Sequence, residues 1–437
     1  MMIKYKFSLI FITICFISCV DKFMIPDEIN DDSNSSFGAG DTTYLQLTPI
    51  WDEAYGLNEP IEISIIQDGR ILVADSSQSS IFVLDQDGDS PSGFDGLQSL
   101  LDDEGDPIYP IDVDADKKMN IFFIDGSQRI FIWNHYWNSV GINSVSTSAN
   151  FIHSDTGIDT TILVSSVNWL TFLNNTAWQI SSVIYSNNQM LIDSLLRPHL
   201  FYDGRDEKNA YLDPFNQPDS SQFTGISSPA DDENIIFVTD NYGGLNQQYR
   251  IIQIDFQKSL LLALASGDTV WAFTGEFGES LVGYGTGAGT VSEPLSLDVD
   301  YNGNLYYTQT GDYFPVHMII PNLSGDFSIY SSGFQPNNDD IMNADYFSKP
   351  LDIAVDNNQQ MYIVDNDLKH VSVFNSSGNF FKYAGYTSSN DTVPIMTDPV
   401  AVTVDDRGVI YVCDKTEGAI FRYKLSNSLD EDIIPEE

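Results

Sequence analysis

One pattern recurs along most of the chain and restricts it to a repeat fold. Its clearest copy, residues 350–378, reads PLDIAVDNNQQMYIVDNDLKHVSVFNSSG. Apolar residues alternate with other residues up to an Asp, a polar turn follows, and two more apolar runs come after it. Period-two alternation broken by turns rich in Asn, Asp and Gly predicts consecutive antiparallel strands. Each copy is therefore predicted to be a β-meander.

The acids fix the period. Counting from Pro350, one Asp comes six residues later and a second comes nine residues after that. Six windows fit this count in part or in full, and they begin at Pro60, Pro110, Gly225, Pro294, Pro350 and Pro399. In the third window Gly225 takes the proline position, and Asp231 and Asp240 are the acids. Repetition at such a period is typical of propellers and solenoids.

The region 134–224 loses the pattern. The step from Pro110 to Gly225 is 115 residues, about twice the 50 residues from Pro60 to Pro110. The spacing favours seven repeats, with a divergent one near residues 160–205; the alternative is six repeats with one large insertion. Apolar runs in this region predict strands at 162–164, 169–172, 180–185 and 190–192.

The two ends of the repeat region complement each other. The repeat from Pro399 ends near Tyr423 after three strands, while residues 44–50 form a spare strand. Pairing this strand into the last sheet would close a circle and remove two open sheet edges. We therefore predict an all-β fold over residues 42–426: a β-propeller of four-stranded blades, six or seven with seven favoured, closed by an N-terminal strand.

Three copies resemble NHL repeats: PLDIAVDNNQQMYIVDNDLKHVSVFNSSG, PLSLDVDYNGNLYYTQTGD and PVAVTVDDRGVIYVCDKTEGAIFRY. The shared features are the proline, a strand ending in Val-Asp, a polar turn and a second strand, which ends in Asp in the first and last copies. The resemblance implies the propeller fold. The Arg that usually follows the second Asp is mostly absent: Arg129 follows Asp125, but His370 follows Asp365. The chemistry of the channel is therefore not carried over.

The N-terminus has the design of a secretory signal. Lys4 and Lys6 precede an apolar run over residues 7–17, which is too short to span a membrane. The sequence Phe16-Ile17-Ser18-Cys19 resembles the lipobox of bacterial lipoproteins. The resemblance implies that residues 1–18 are removed and that Cys19 is lipidated; ordinary signal cleavage is the alternative.

The remaining flanks are polar. Residues 19–41 are predicted to be a flexible acidic tether, and residues 427–437 an acidic tail. We expect an exported protein in the periplasm or on the cell surface, which touches the membrane only through its anchor. Without the signal, the cysteines are Cys19 and Cys413, so no disulfide framework is expected. Cys413 lies in an apolar strand and is predicted to be a small core residue.

The charge excludes some partners. Asp and Glu number 63 against 19 Lys and Arg, a formal net charge of -44. Nucleic acid and anionic membranes need basic surfaces, so neither is an expected partner. The simplest role of the charge is solubility; the alternative is attraction of cations or a basic partner.

The recurring acids have two interpretations. An Asp at a turn accepts hydrogen bonds from backbone N–H groups two residues on, and this common role predicts turn caps. The alternative is a ring of carboxylates that binds Ca²⁺ at the channel mouth. Asp85, Asp87 and Asp89 are further Ca²⁺ candidates, although their loop lacks the bidentate acid of an EF-hand and a solvated turn is simpler.

Catalytic motifs are missing from the sequence. The five His residues show no zinc spacing, and neither a Gly-x-Ser-x-Gly elbow nor a phosphate loop is present. We assign no catalytic residue and no cofactor, apart from the Ca²⁺ alternative. The cluster His135-Tyr136-Trp137 in the irregular region is the candidate ligand contact.

These observations favour a binding or scaffolding module for protein, peptide or glycan ligands at the cell envelope. We expect the ligand in the central depression, on the face built by the blade-to-blade connectors. A Ca²⁺-dependent hydrolase or lyase is one alternative, and a purely structural envelope protein is another.

Overall fold

The computed structural model describes residues 43–91, 96–102, 105–134, 148–163, 176–183, 199–215, 221–229, 234–242, 249–263, 269–283, 286–311, 314–322, 329–336, 338–386 and 395–426. Within these ranges the chain forms seven antiparallel sheets. Six of them have four strands and one has three.

The four-stranded sheets are the blades, numbered here in chain order by their innermost strands. Blade 1 contains β2 (Pro60–Ile65), β3 (Ile71–Asp75), β4 (Ser80–Leu84) and β5 (Gly96–Leu97). Blade 2 contains β6 (Asp112–Ala115), β7 (Asn120–Ile124), β8 (Arg129–Asn134) and β12 (His199–Asp203). Blade 3 contains β13 (Phe223–Ser227), β14 (Ile235–Asp240), β15 (Arg250–Ala263) and β16 (Thr269–Leu281).

The other three blades are more regular. Blade 4 contains β17 (Pro294–Val299), β18 (Leu305–Gln309), β19 (Val316–Asn322) and β20 (Ile329–Ser332). Blade 5 contains β21 (Pro350–Val355), β22 (Met361–Asp365), β23 (His370–Phe374) and β24 (Phe380–Ala384). Blade 6 contains β25 (Pro399–Val404), β26 (Ile410–Asp414), β27 (Ala419–Leu425) and β1 (Tyr44–Trp51).

The predicted ring closure is confirmed. β1 pairs antiparallel with β27, and the register joins Tyr44 to Leu425 and Leu47 to Arg422. The N-terminal strand thereby supplies the fourth strand of blade 6. Trp51, at the end of β1, is fully buried between blades 6 and 1.

The inner strands close into a ring of six. Each contacts the next in the order β2, β6, β13, β17, β21, β25 and back to β2. The buried apolar side chains of the described blade residues form six clusters, one between each pair of neighbouring blades. This arrangement is a β-propeller, as predicted, in which every blade is held by two apolar interfaces.

The seventh sheet lies in the divergent region, where the spacing favoured a further repeat. It consists of β9 (Ser148–His153), β10 (Asp159–Leu163) and β11 (Trp178–Val183), with β9 in the centre. It is three-stranded, and it lies in the connection between the third and fourth strands of blade 2. The ring therefore has six blades, and the alternative of six repeats with one insertion describes the region.

Helix is scarce in the described residues. One α-helix, α1 (Glu207–Leu212), follows β12, and short 3-10 helices cover Glu53–Tyr55, Ser76–Gln78, Asp340–Met342 and Ala344–Tyr346. After β5, which ends at Leu97, Leu101 forms a bridge with Pro107. None of the described helices has the length and apolarity needed to cross a membrane.

In blade 3 the predicted position of Gly225 within its repeat was wrong. In four blades the proline that starts the inner strand pairs with the residue at the end of the second strand, as Pro350 does with Asp365. In blade 3 the residue that pairs with Asp240 is Phe223. Gly225 therefore lies two residues inside the strand and not in the proline position, because the turn of blade 3 is longer. Asp231 lies outside the described residues.

Candidate functional site: an acidic cavity in the channel

A cavity of about 740 Å³ occupies one end of the propeller channel. All six inner strands line it, together with the turns that join the inner strands to the second strands. Asp68, Lys117, Tyr301, Asn357 and Arg407 belong to these turns and surround the mouth. The cavity is thus a concave, polar site of a size typical for ligand pockets.

The face on which the cavity opens differs from the expectation. Of the described residues that line it, none belongs to the connectors that lead into the inner strands. The connector ends are instead bonded to the recurring acid at the end of the second strand. In blade 5 this acid is Asp365, which accepts from the backbone N–H groups of Ser348 (2.6 Å) and Lys349 (3.0 Å). The expected placement on the connector face is therefore wrong for this cavity.

The connections between the third and fourth strands nevertheless leave their blades on the face of the mouth. In each blade, the connection between the third and fourth strands is on the same side as the turn after the inner strand. The insertion that carries β9, β10 and β11 is such a connection, and so is the long hairpin of β15 and β16. Gln86, from the corresponding turn of blade 1, lines the cavity.

Five carboxyl groups line the interior of the cavity. They come from four inner strands and are Glu62, Asp112, Asp114, Asp298 and Asp352. Side chains of alternate residues in a strand point to the same face. Asp112 and Asp114 of blade 2 therefore both point into the channel.

Each interior Asp bridges to the next blade. An inner strand pairs on one side only, so backbone N–H groups on its other edge need acceptors. Asp carboxylates supply them in four inter-blade bonds: Asp112 from Ile226 N (2.8 Å), Asp114 from Ser228 N (2.6 Å), Asp298 from Val355 N (2.7 Å) and Asp352 from Val402 N (2.7 Å). The acids thus join neighbouring blades as well as lining the cavity.

The pKa values of these carboxyl groups are raised. Burial raises the pKa of Asp114 to about 7, and the charge of Asp298 adds to the effect. Burial likewise raises the pKa of Asp352 to about 7 and that of Asp298 to about 6. For Glu62 and Asp112, burial and then the nearby Asp352 charge raise the pKa well above the ordinary value.

Charge is poorly balanced within the cavity. Among the lining residues that the structure describes, ten are Asp or Glu and two are Lys or Arg. Of the two basic residues, Arg407 already forms an ion pair with Asp405 at 2.7 Å. Carboxyl groups that lack a countercharge in a desolvated site titrate near neutral pH, which is a common property of functional sites.

The recurring turn acids do what turn caps do. At the turn after the inner strand of blade 4, Asp300 accepts from the backbone N–H groups of Asn302 and Asn304, both at 2.9 Å. Asp116, Asp356 and Asp405 make the same pair of bonds in their own turns. In blades 4, 5 and 6 a Tyr hydroxyl also donates to the Asp of this turn, as Tyr306 does to Asp300 at 3.3 Å.

The other predicted site residues have separate positions. Asp85 accepts from the backbone N–H groups of Asp87 (2.9 Å) and Asp89 (3.0 Å), so these acids form a capped turn near the mouth. Cys413 is fully buried and free, as predicted. Cys19 and the cluster His135-Tyr136-Trp137 lie outside the described residues.

The donor set does not fit a Ca²⁺ ion. Among the residues that the structure describes, no three or more His, Cys, Asp or Glu side chains are arranged to hold a metal ion. Asp352 illustrates the reason: its Oδ1 accepts from Ile353 N and Ser296 Oγ, and its Oδ2 accepts from Val402 N. Ca²⁺ would need six to eight oxygen ligands that are free to turn toward it.

The interior acids were not identified from the sequence. By strand register, one of their two positions carries an acid in blades 1, 2 and 5 (Glu62, Asp112 and Asp352) and the other in blades 2 and 4 (Asp114 and Asp298), whereas the remaining blades carry residues such as Gly225, Ser64 and Ala401 there. The available signal was an acid in the middle of an otherwise apolar strand, as in PIDVDA and PLDIAV. Such a residue must face water, a ligand or a buried partner.

The fold and the cavity define the class: a six-bladed β-propeller with an acidic pocket at one end of its channel. No protein-family model and no curated protein matches the chain.

Solved structures with a similar arrangement include a gluconolactonase from Xanthomonas campestris (11% identity, TM-score 0.44, covering 89% of this chain and 99% of that chain). A protein of unknown function from Bacteroides thetaiotaomicron (12%, 0.43, 88% and 77%) and a streptogramin B lyase (12%, 0.39, 88% and 98%) are similar to the same extent. At this level of similarity, no property of those proteins extends to this chain.

Proposed function

We propose that this protein is an exported, lipid-anchored propeller of the NHL-repeat type that binds a ligand in its channel cavity at the cell envelope. The observation that supports a binding role is the cavity itself: about 740 Å³, polar, open at one end and shared by all six blades. Ligands of the expected classes are peptides, proteins and glycans.

The binding experiment compares two variants on opposite faces. Peptides, glycans and envelope proteins are screened against the wild type, a cavity variant (Asp298→Asn) and a connector variant (Lys349→Ala). We expect a ligand whose affinity falls at least tenfold in the cavity variant and is unchanged in the connector variant. Equal binding by all three proteins would reject the cavity as the site.

The anchor is tested separately. Cells that express the wild type or Cys19→Ser are fractionated, and the protein is detected in membrane and soluble fractions. We expect the wild type in the membrane fraction and the variant in the soluble exported fraction, because the signal remains but the lipidated residue is lost. The same distribution for both proteins would contradict lipidation of Cys19.

An enzyme is the second candidate, and one observation favours it. The pKa values of Asp114 and Asp352, about 7, lie in the range in which carboxyl groups act as general acids or bases at neutral pH. The Ca²⁺-dependent form of this proposal lacks a fitting set of ligands among the described residues. Calorimetric titration of Ca²⁺ into chelator-treated protein tests that form, and tight binding would revive it.

A further inference from the structure

We propose that the cavity binds an organic cation, namely an ammonium or guanidinium group, and that its interior carboxylates are the hydrogen-bond acceptors. The group could belong to a Lys or Arg side chain of a peptide or to a free polyamine. This inference rests on the proposed function, since it names the ligand class for the same cavity.

The first step is the charge of the lining. Within the described part of the lining, the ten acids exceed the two basic residues by eight, and Arg407 is occupied by Asp405. Like charges that share a site with little water repel one another more strongly than they do in bulk water. A bound cation relieves this repulsion, whereas an anionic ligand would add to it.

The second step separates an organic cation from a metal ion. The interior Asp oxygens already accept backbone N–H groups, and Asp298 does so with both oxygens, from Val299 and Val355 at 2.7 Å. A carboxylate oxygen has more than one lone pair, so an oxygen that accepts a single hydrogen bond can accept a further one without losing the first. An ammonium group donates three hydrogen bonds and can use these lone pairs, while Ca²⁺ would require the oxygens to turn.

The third step is an independent observation at Ser228. Ser228 lines the cavity and is only 8% exposed, and its hydroxyl has no hydrogen-bond partner in the structure. Its backbone N–H donates to Asp114, which places the residue next to an interior carboxylate. The other five blades have apolar residues at this position: Ile65, Ala115, Val299, Val355 and Val404.

A hydroxyl at this position is not required for packing, because apolar residues fill the same place elsewhere in the ring. A buried polar group without a partner destabilises a protein unless something else supplies the hydrogen bond. An N–H donor of the ligand, held beside Asp114, would supply it. The unsatisfied hydroxyl therefore indicates a hydrogen-bonding ligand in this part of the cavity.

The rim offers one more suitable contact. Tyr301 is 51% exposed and lies at the mouth, directly after the turn acid Asp300. The face of an exposed aromatic ring attracts ammonium and guanidinium groups. A cation that enters the cavity would pass this ring.

The test is calorimetric titration of the full chain at pH 8 with four probes. They are spermidine, a tetralysine peptide, the same peptide acetylated at every Nζ, and CaCl₂. We expect spermidine or tetralysine to bind, with the acetylated peptide at least tenfold weaker. Binding of tetralysine alone identifies a peptide source, and binding of spermidine alone identifies a free polyamine.

Matched variants separate the cavity from the general surface charge. Asp298→Asn and Glu207→Gln each remove one negative charge, but Glu207 is exposed on α1 and outside the cavity. We expect at least a tenfold loss of affinity for Asp298→Asn and no change for Glu207→Gln. Ser228→Ala keeps the carboxylates and should also weaken binding, by about threefold or more. Circular dichroism confirms that each variant is folded.

Three results would overturn the inference. Binding of the acetylated peptide as tightly as tetralysine, or equal losses in Asp298→Asn and Glu207→Gln, would show that cavity carboxylates do not recognise a cation. If neither spermidine nor tetralysine binds, the inference is overturned as well. If a neutral glycan or peptide then bound in a manner that depended on Asp298, the proposed function would stand and this inference alone would fall.

Discussion

At the scale of single residues, Asp carries out two separate structural tasks. At the turns it satisfies backbone N–H groups of the same blade, whereas on the inner strands it satisfies N–H groups of the next blade. Asp365 is fully buried and accepts from Ser348, Lys349, Asp367 and Leu368. It therefore fixes both the turn after the second strand and the connector into blade 5.

Asp365→Ala should be among the more destabilising substitutions of a turn acid. It leaves several N–H groups without an acceptor, and hydrogen bonds to a charged group contribute about 1.5–3 kcal/mol each. We expect the free energy of unfolding to fall by about 3 kcal/mol or more in urea titrations. The control Asp367→Ala, at an exposed position, should change it by less than about 0.5 kcal/mol. Equal effects would contradict the assigned role.

His317 should make the free energy of unfolding depend on pH below neutrality. It is buried, its Nδ1 accepts from Gly289 N at 3.0 Å, and its ring stacks on Tyr307. Burial lowers its pKa from 6.5 to about 4, so the folded state disfavours the charged form. The neutral ring is favoured above pH 6.5, and this stability is lost as the pH falls from 6.5 toward 4.

The variant His317→Gln lacks the titrating imidazole and therefore lacks this pH-dependent contribution to stability. It should be less stable than the wild type at pH 8, because packing and a hydrogen bond are lost. Between pH 7 and pH 4 the difference in unfolding free energy should shift in favour of the variant by about 3 kcal/mol. Urea titrations at several pH values measure it, and a difference independent of pH would contradict a neutral, buried His317.

At the scale of elements, most strands could be predicted from the sequence. Alternation and turn residues place β21, β22 and β23 within one or two residues of their observed bounds, because each inner and second strand has a regular apolar pattern. The register of blade 3 was missed, since counting from Gly225 assumes a turn of constant length. The interior acids were missed because each of their two positions carries an acid in only some of the blades.

The closing strand β1 is the element on which the ring depends most. A chain that begins at residue 43 retains β1, and a chain that begins at residue 52 lacks it together with the buried Trp51. We expect the first chain to unfold at the same temperature as the full chain. The second should unfold at least 10 °C lower or fail to fold, because blade 6 loses its fourth strand and its apolar contact with blade 1.

Thermal unfolding followed by circular dichroism distinguishes the two truncations. Equal midpoints would show that pairing of β1 with β27 adds little to the closure of the ring. The chain from residue 43 is the matched control, since both truncations remove the signal and the tether.

At the scale of the whole molecule, spacing alone could not give the number of blades. An insertion between two strands of one blade lengthens the chain by as much as an additional blade does, but it leaves the ring unchanged. The seventh sheet shows this: it adds β9, β10 and β11 between the third and fourth strands of blade 2 and no inner strand. Blade number depends on which strands meet at the axis, and the repeat count cannot reveal this.

The whole ring also concentrates charge. Inner strands from blades 1, 2, 4 and 5 bring five carboxyl groups to one cavity. Because the pKa values of Asp114, Asp298 and Asp352 are raised in the folded state, the contribution of these three groups to stability is fully present below the unfolded pKa of about 3.8 and is lost as the pH rises through 6 to 7. This opposes the trend of His317, so single variants are needed to separate the two.

Potentiometric titration tests the convergence of these acids most directly. The folded wild type is compared with the triple variant Asp114→Asn, Asp298→Asn, Asp352→Asn, and circular dichroism verifies that both are folded. Between pH 8 and pH 5 the wild type should take up about three protons more than the variant, and the single variant Asp298→Asn should account for about one of them. A difference that appears only below about pH 4.5, where ordinary Asp side chains titrate, would show that these carboxyl groups do not share a desolvated cavity.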